Sequence, residues 1–235
     1  TKLGEVFPGY FATIAQKHME RFGTTREQMA QVSVKNHLHG ALNPYAQFQK
    51  KFTVEEVLNS PMIADPLTLY SCCPNSDGAA ALVLCSKERA KNLNGRAIRI
   101  AASVLATGTY DNQRDITNWD VEIRAAQQAY KMASLGPEDL NVVEVHDAFT
   151  ICEILHYEGL GLCPFGEGGR LIDEKATAIG GRIPVNPSGG LLSKGHPVGA
   201  SGVAQVVEIV WHLRGEAGER QVQGAKVGLA DMMGG

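Results

Sequence analysis

Two histidines occupy positions where an imidazole could do acid–base work. His196 lies in the run Asn186-Pro-Ser-Gly-Gly-Leu-Leu-Ser-Lys-Gly-His-Pro-Val-Gly-Ala-Ser-Gly202, fixed between glycines at the entrance to an apolar segment. Gly195 and Gly199 allow close backbone approach and unusual φ/ψ angles, and Pro197 stiffens the turn. If residues 200–213 form a helix, its first N–H groups face the same space, and an imidazole beside unpaired donors suits a carbonyl oxygen that gains negative charge. A glycine-rich turn with a capping histidine accounts for the same residues equally well. The second histidine shifts the balance. Val142, Val143 and Val145 read as a short buried strand that runs into His146-Asp-Ala-Phe-Thr150 and then a helical pattern of Ile151, Ile154 and Leu155. His146 therefore belongs at the carboxyl end of a strand, where open α/β sheets keep their ligand crevices. One such histidine is more often structural. Two, each at a glycine or strand–helix junction, move the reading towards function.

The elements that must carry these turns are legible on either side of them. Residues 7–22 read as a helix with Phe11, Ile14, Ala15 and His18 on one side. Thr24-Thr-Arg-Glu27 and Thr53-Val-Glu-Glu56 each read as a capping box, opening helices near 26–40 and 54–59, with Asn43-Pro44 breaking the path between them. After Asp77-Gly78, the apolar run 79–84 has strand length, residues 86–92 return as a helix, and 97–105 read as a further strand. Residues 120–134 form an alanine-rich helix stopped by Gly136-Pro137. Alternating strands and helices indicate a layered α/β domain with a central sheet. The segment 200–213 is apolar on almost every face, so it is expected between layers and not on the surface. The glycines of Gly166-Glu-Gly-Gly169 lack the Lys-Ser/Thr of a phosphate loop and are expected to form a surface turn near the substrate mouth.

Bulk properties exclude several classes. The 235 residues are 44% hydrophobic and 20% charged, enough to bury a sizeable core as one large domain or two small ones. A formal charge of -3 and a pI near 6.2 give no polybasic footprint for nucleic acid. No apolar run approaches the roughly 20 residues that span a bilayer. Cys72, Cys73, Cys85, Cys152 and Cys163 show neither a zinc spacing nor a secreted disulfide framework, so a reducing compartment and no metal are expected.

The run Val143-Glu-Val-His-Asp-Ala-Phe149, with Gly166-Glu-Gly-Gly169, Asn186-Pro-Ser-Gly-Gly190 and Gly195-His-Pro-Val-Gly199, resembles the thiolase family. The subgroup it resembles is the sterol-carrier-protein-type thiolases and their archaeal and bacterial relatives, in which His-Asp-x-Phe replaces Asn-Glu-Ala-Phe. Phe7-Pro-Gly-Tyr-Phe-Ala12, Val34-Lys-Asn-His37, Asn43-Pro44 and Asp77-Gly-Ala-Ala-Ala81 extend the likeness over nearly the whole chain. The resemblance implies a layered α/β/α fold with a central mixed sheet and a mainly helical loop domain covering coenzyme A. It divides the chain into a loop domain (1–68), the end of a first thiolase half (69–95) and a second half (96–235) incomplete at its end. It also implies a partial chain, opening at Thr1 without an initiator methionine and lacking the portion where thiolases carry their nucleophilic cysteine.

The same resemblance implies chemistry. A thiolate attacks the ketone of a β-ketoacyl-CoA, the C–C bond breaks to give a thioester enolate, and an acid protonates that carbanion before coenzyme A removes the acyl group. His196 would accept the cysteine proton and help bind one oxyanion, while His146 would stand where the family's asparagine holds the thioester oxygen. Backbone N–H groups near Gly234 would add a second oxyanion site, and Asn186, Gly189, Gly190 and Ser193 would contact substrate or coenzyme A. Acyl-CoA is then a substrate, and no cofactor is held permanently. The expected assembly is a homodimer, or a heterotetramer with a small DUF35-type OB-fold/zinc-ribbon partner, in the cytoplasm if prokaryotic and the peroxisome if eukaryotic. His18, His37, His39, His156 and His212 are expected to matter less than the pair.

One departure keeps other readings open. Thiolases place a second catalytic cysteine in a C-terminal Cys-x-Gly turn or inside His-Asp-Cys-Phe; here those positions read Asp231-Met-Met-Gly-Gly235 and Ala148. Cys152, one helical turn beyond Ala148, could face the same space, although a buried structural cysteine is the commoner case. A thiolase-like retro-aldolase acting on a hydroxyacyl-CoA with a DUF35-type partner needs no acyl-accepting thiol. A non-catalytic acyl-CoA-binding scaffold is the third reading.

Overall fold

Helices begin where the sequence caps them. The structure, a computed structural model, describes residues 6–93, 95–108 and 115–233. Helix α1 (Phe7–Phe22) starts with proline in its first turn and ends at Gly23, whose φ of 75° is the left-handed conformation glycine adopts without strain. Helix α2 (Arg26–Gly40) has a capping box, but from Thr25 and Gln28, one residue later than the sequence suggests. Thr24 is already engaged, its hydroxyl 2.8 Å from His18 Nδ1. Thr53 and Glu56 cap α3 (Val54–Leu58) as expected.

Four short strands follow. β1 (Met62–Ala64) pairs antiparallel with β2 (Leu67–Thr68), and β3 (Val142–Glu144) pairs parallel with β4 (Gly228–Ala230), Val143 facing Leu229. Val143 also bridges to Val185 on its other side. The expected strand at 79–84 has no ladder partner among the described residues, leaving Val83 92% exposed. Residues 97–105 behave likewise, with Leu105 exposed. A strand needs a neighbour for its backbone groups, and an apolar run cannot create one. Between these segments lies the four-residue helix α4 (Lys87–Ala90).

The core gathers around α6 (Thr150–Gly159), all ten residues of which are buried. Helices α1, α2, α5 (Asp120–Ala133) and α7 (Gly168–Asp173) pack around it. Total burial of an element carrying Glu153, His156 and Glu158 demands partners, and each has one: Lys35, Glu122 and His18 respectively. The Gly166-Glu-Gly-Gly169 run is not a surface turn. It opens α7, its Gly168 N–H donating to Glu158 Oε1 at 3.0 Å, and a Cβ at Gly168 would press to 2.7 Å from the Ile154 carbonyl. These glycines serve close helix packing.

Two further helices bracket the His196 turn: α8 (Gly190–Lys194) and α9 (Val198–Arg214). The inward stripe of α9 is polar where an apolar one was expected. Ser201, Gln205, Glu208 and His212 are buried, with Ile209 and Leu213, while Val203, Val206 and Val210 are only half-buried. Arg220 makes this tolerable by a two-pronged bond to Glu208, at 2.5 and 3.0 Å. No helix among the described residues is long and apolar enough to cross a membrane.

Candidate active site

Parallel pairing of β3 and β4 puts their carboxyl ends side by side, so the residues just beyond them meet. His146 follows β3 and Met232 follows β4, and His146 Nδ1 lies 3.1 Å from Met232 Sδ. A thioether is too weak an acceptor to fix the imidazole tautomer. The His196 turn arrives from the other side, and the two imidazoles meet edge to face, ring centroids 5.0 Å apart and planes at 79°. Both rings are half-buried. The two predicted histidines thus form one site.

Each ring is aimed by its surroundings. His196 Nδ1 is 2.9 Å from Ser201 Oγ, and that hydroxyl gives its only proton to the Pro197 carbonyl at 3.1 Å. Nδ1 must therefore be the donor, which leaves the Nε2 lone pair free as a base. The His196 N–H donates to Ser76 Oγ at 3.1 Å, and His196 bridges to Asn75. Gly195 turns the chain with φ 102°, where a side chain would collide with Ser76. Burial, then the nearby Lys194, lower the His196 pKa below its ordinary value. Burial, then His156 and His196, lower that of His146 to about 3. Both rings are neutral at physiological pH.

Asp147 ties the two turns together. Fully buried, it accepts the Leu191 N–H at 2.6 Å and the Leu192 N–H at 3.3 Å from the start of α8, and the Asn36 amide at 2.7 Å from α2. Gly190, at φ 60°, has no room for a side chain because of this carboxylate. Burial and then Glu153 push the Asp147 pKa up to about 7, the two backbone donors opposing them. Beneath it, Glu153 accepts from Asn36 and Asn186 at 2.6 Å each and pairs with Lys35 Nζ at 2.5 Å.

The other sequence-predicted residues divide. Asn186, at φ 52°, is fully buried, its amide gripping Val145 N–H at 2.9 Å as well as Glu153. Gly189 would press a Cβ to 2.7 Å from Gly40 Cα, and the buried Ser193 hydroxyl donates to the Phe48 carbonyl at 2.7 Å. With Gly190, these residues lie behind the histidines and are engaged by protein atoms. Cys152 is inside the apolar core, its thiol pKa raised by burial well above its ordinary value. Gly234 lies outside the described residues.

Sequence reasoning missed a second layer. His156 Nε2 donates to the His146 carbonyl at 3.1 Å, while Nδ1 lies 2.6 Å from Glu122 Oε1 and 3.2 Å from Asp231 Oδ2. Among the described residues this is the one trio with ligand atoms close enough to share a metal ion. The 2.6 Å separation is that of a charge-assisted hydrogen bond, so a proton already occupies the space. Cys73 was also missed: its N–H donates to the Ala148 carbonyl at 2.8 Å, and burial, then Asp147, push its thiol up to about 12. No sequence spacing links 73 to 148 or 122 to 156 and 231. Open space begins beside His196, in a groove of about 460 Å³ lined by residues 76–80 and the first turn of α9.

Paired neutral imidazoles, one beyond the end of β3 and one in the turn between α8 and α9, with a basic nitrogen left free, are groups able to move protons at a carbonyl. The chain belongs to the thiolase family: the thiolase C-terminal domain-like family matches residues 102–235 and the thiolase N-terminal domain residues 2–88. It is 52% identical to an acetyl-CoA acetyltransferase of Methanothermobacter thermautotrophicus, over 99% of this chain and 61% of that protein. It is 46% identical to sterol carrier protein 2 of Bos taurus, over 97% of this chain and 44% of the relative. Among solved structures, the Ltp2-ChsH2(DUF35) aldolase superposes with a TM-score of 0.86 at 30% identity, over 94% of this chain and 59% of that one. The chain therefore spans about three-fifths or less of the length of these relatives. The layered α/β thiolase fold is the one it shares.

Proposed function

We propose that the protein carrying this chain is an acyl-CoA C-acyltransferase that makes or cleaves a C–C bond in a β-ketoacyl-CoA. The observation that carries the reading is the imidazole pair at 5.0 Å with the Nε2 lone pair of His196 left free. A cysteine supplied by residues outside this chain gives its proton to His196 Nε2, and its thiolate attacks the ketone carbon. The C–C bond breaks, and its electron pair passes into the thioester as an enolate whose oxygen accepts an N–H of His146. A water held by His146 protonates the enolate carbon and releases one acyl-CoA, and the hydroxide so formed takes up the proton that His196 holds. Coenzyme A sulfur then takes the acyl group from cysteine.

Replacing His146 or His196 by Ala in the full-length protein is expected to lower kcat on a CoA thioester by about 10² or more, the scale of a lost acid–base or oxyanion group. Near-normal turnover in both variants would overturn the assignment.

A second reading, a retro-aldolase that cleaves a hydroxyacyl-CoA beside a DUF35-type partner, is favoured by the 0.86 TM-score to an aldolase. It also fits Ala148 and Met232 standing where other thiolases have a thiol. In that reaction the hydroxyl proton goes to a base, an aldehyde or ketone leaves, and the same enolate forms. Release of that carbonyl product without added coenzyme A selects this reading over the first.

A further inference from the structure

The buried trio behind the site is not required by either proposed reaction, and its geometry reaches the site directly. His156 sits wholly inside the protein with both ring nitrogens engaged, Nε2 on the His146 carbonyl and Nδ1 between Glu122 and Asp231. Three elements meet on this one ring: Glu122 from α5, His156 from α6, and Asp231 from the exit of β4. Asp231 is also the residue before Met232, which touches His146. Trp119 closes the trio edge-on, its ring centroid 5.1 Å from that of His156.

We propose that His156 is a positioning residue for His146, acting through the His146 carbonyl and through the charge that Glu122 and Asp231 hold on the His156 ring. The proposal rests on the proposed reaction only for what His146 then does. An imidazolium in the core is costly unless paired, and here two carboxylates face it. Burial disfavours its charge, but Glu122 and then Asp231 outweigh that and hold the His156 pKa at about 9. That cation lies one residue's backbone away from the His146 ring and disfavours a second proton there. His146 stays neutral, with an N–H to give and no charge of its own.

The groups around the pair are few. His146 is faced by His196 and Met232, and His156 by Glu122, Asp231 and Trp119. Tyr130 feels the same carboxylates: its hydroxyl donates to the Leu160 carbonyl at 2.8 Å, and burial, then Glu122 and Asp231, raise its pKa. It stays un-ionised where His156 titrates.

The test uses the full-length protein with carbon-13-labelled histidine. In the wild type, the His146 resonance is expected to shift with an apparent pKa near that of His156, and the shift to vanish in His156→Gln, which can still donate to the His146 carbonyl but carries no charge. Glu122→Gln should move the same transition to lower pH. On turnover, His156→Gln is expected to lower kcat about tenfold, leave KM within about twofold, and flatten the alkaline limb of the pH profile. A His146 resonance indifferent to pH between 8 and 10 in the wild type would overturn the proposal, whatever reaction the protein performs. An unchanged kcat and alkaline limb in a folded His156→Gln would do so as well. If the resonance shifts as expected but no CoA thioester is turned over, the positioning stands and the reaction assignment falls.

Discussion

What separates the seven histidines is which nitrogen is left over. His18, His39, His156 and His212 have both ring nitrogens bonded within the protein, and His37 is buried against the edge of Phe52. Among the described residues, His146 and His196 each have one side-chain hydrogen-bond contact, a sulfur and a hydroxyl. A residue can act on a ligand only through a group not already satisfied, which is why the large kinetic effects are assigned to this pair. Asp147 has the opposite character, with every useful bond turned inward. Asp147→Ala leaves two backbone donors unpaired in a dry interior and strips the Asn36 amide of one of its two acceptors, and should cost about 3–5 kcal/mol, seen as a fall in Tm. Asp147→Asn keeps an acceptor and should cost less. Cys152→Ala is expected to leave exchange of the substrate α-proton intact and to lower stability by about 1 kcal/mol, because the thiol is packed in the core. Loss of exchange in a folded Cys152→Ala, by mass spectrometry in deuterated water, would instead give that thiol the role of the acid.

At the scale of elements, the glycines make the sharpest distinction. Gly190 sits at φ 60° with the Asp147 carboxylate where a methyl would go, so Gly190→Ala combines backbone strain with a collision and should destabilise by about 2 kcal/mol or more. Gly199, in the first turn of α9, has nothing within 4 Å of a would-be Cβ, and Gly199→Ala should be neutral or stabilising by up to about 1 kcal/mol. Denaturant titration of both variants checks the contrast, and equal losses would contradict it. The same contrast marks what the sequence could reveal. Capped helices and the β3–His146–α6 unit were legible because a cap, a strand run and a turn are local patterns, fixed within a few residues. The runs at 79–84 and 97–105 misled because a strand is defined by a neighbour. The polar inner stripe of α9 misled for a related reason: Glu208 and His212 are bearable there only because Arg220 and the Val222 N–H come back to meet them. His156 was invisible as a site residue because its partners lie 34 residues before it and near the far end of the chain.

Taken as a whole, the molecule buries titratable groups whose shifts oppose one another, and their balance sets a pH at which it is most stable. Glu208 is disfavoured as an anion by burial, but His212 and Arg220 prevail and lower its pKa from 4.5 to about 2. Its contribution is therefore full above 4.5 and is lost as pH falls through 2. His156 runs the other way. Raised from 6.5 to about 9, it contributes fully below 6.5 and loses that contribution as pH rises through 9. Asp147, raised from 3.8 to about 7, is another group favoured in its protonated form, so its contribution is complete below 3.8 and gone above 7. His146 is lowered from 6.5 to about 3, so it contributes fully above 6.5 and loses that contribution as pH falls through 3, and of these four groups only His156 weakens the fold above pH 7. The expected Tm of the full-length protein therefore falls between pH 7 and 9, the window in which His156 alone of these groups still loses its contribution. Calorimetric scans from pH 6.5 to 9.5 test it, and His156→Gln should flatten that fall. A Tm that climbs between pH 7 and 9 in the wild type would mean that the Glu122–His156–Asp231 trio does not carry a proton in the folded state.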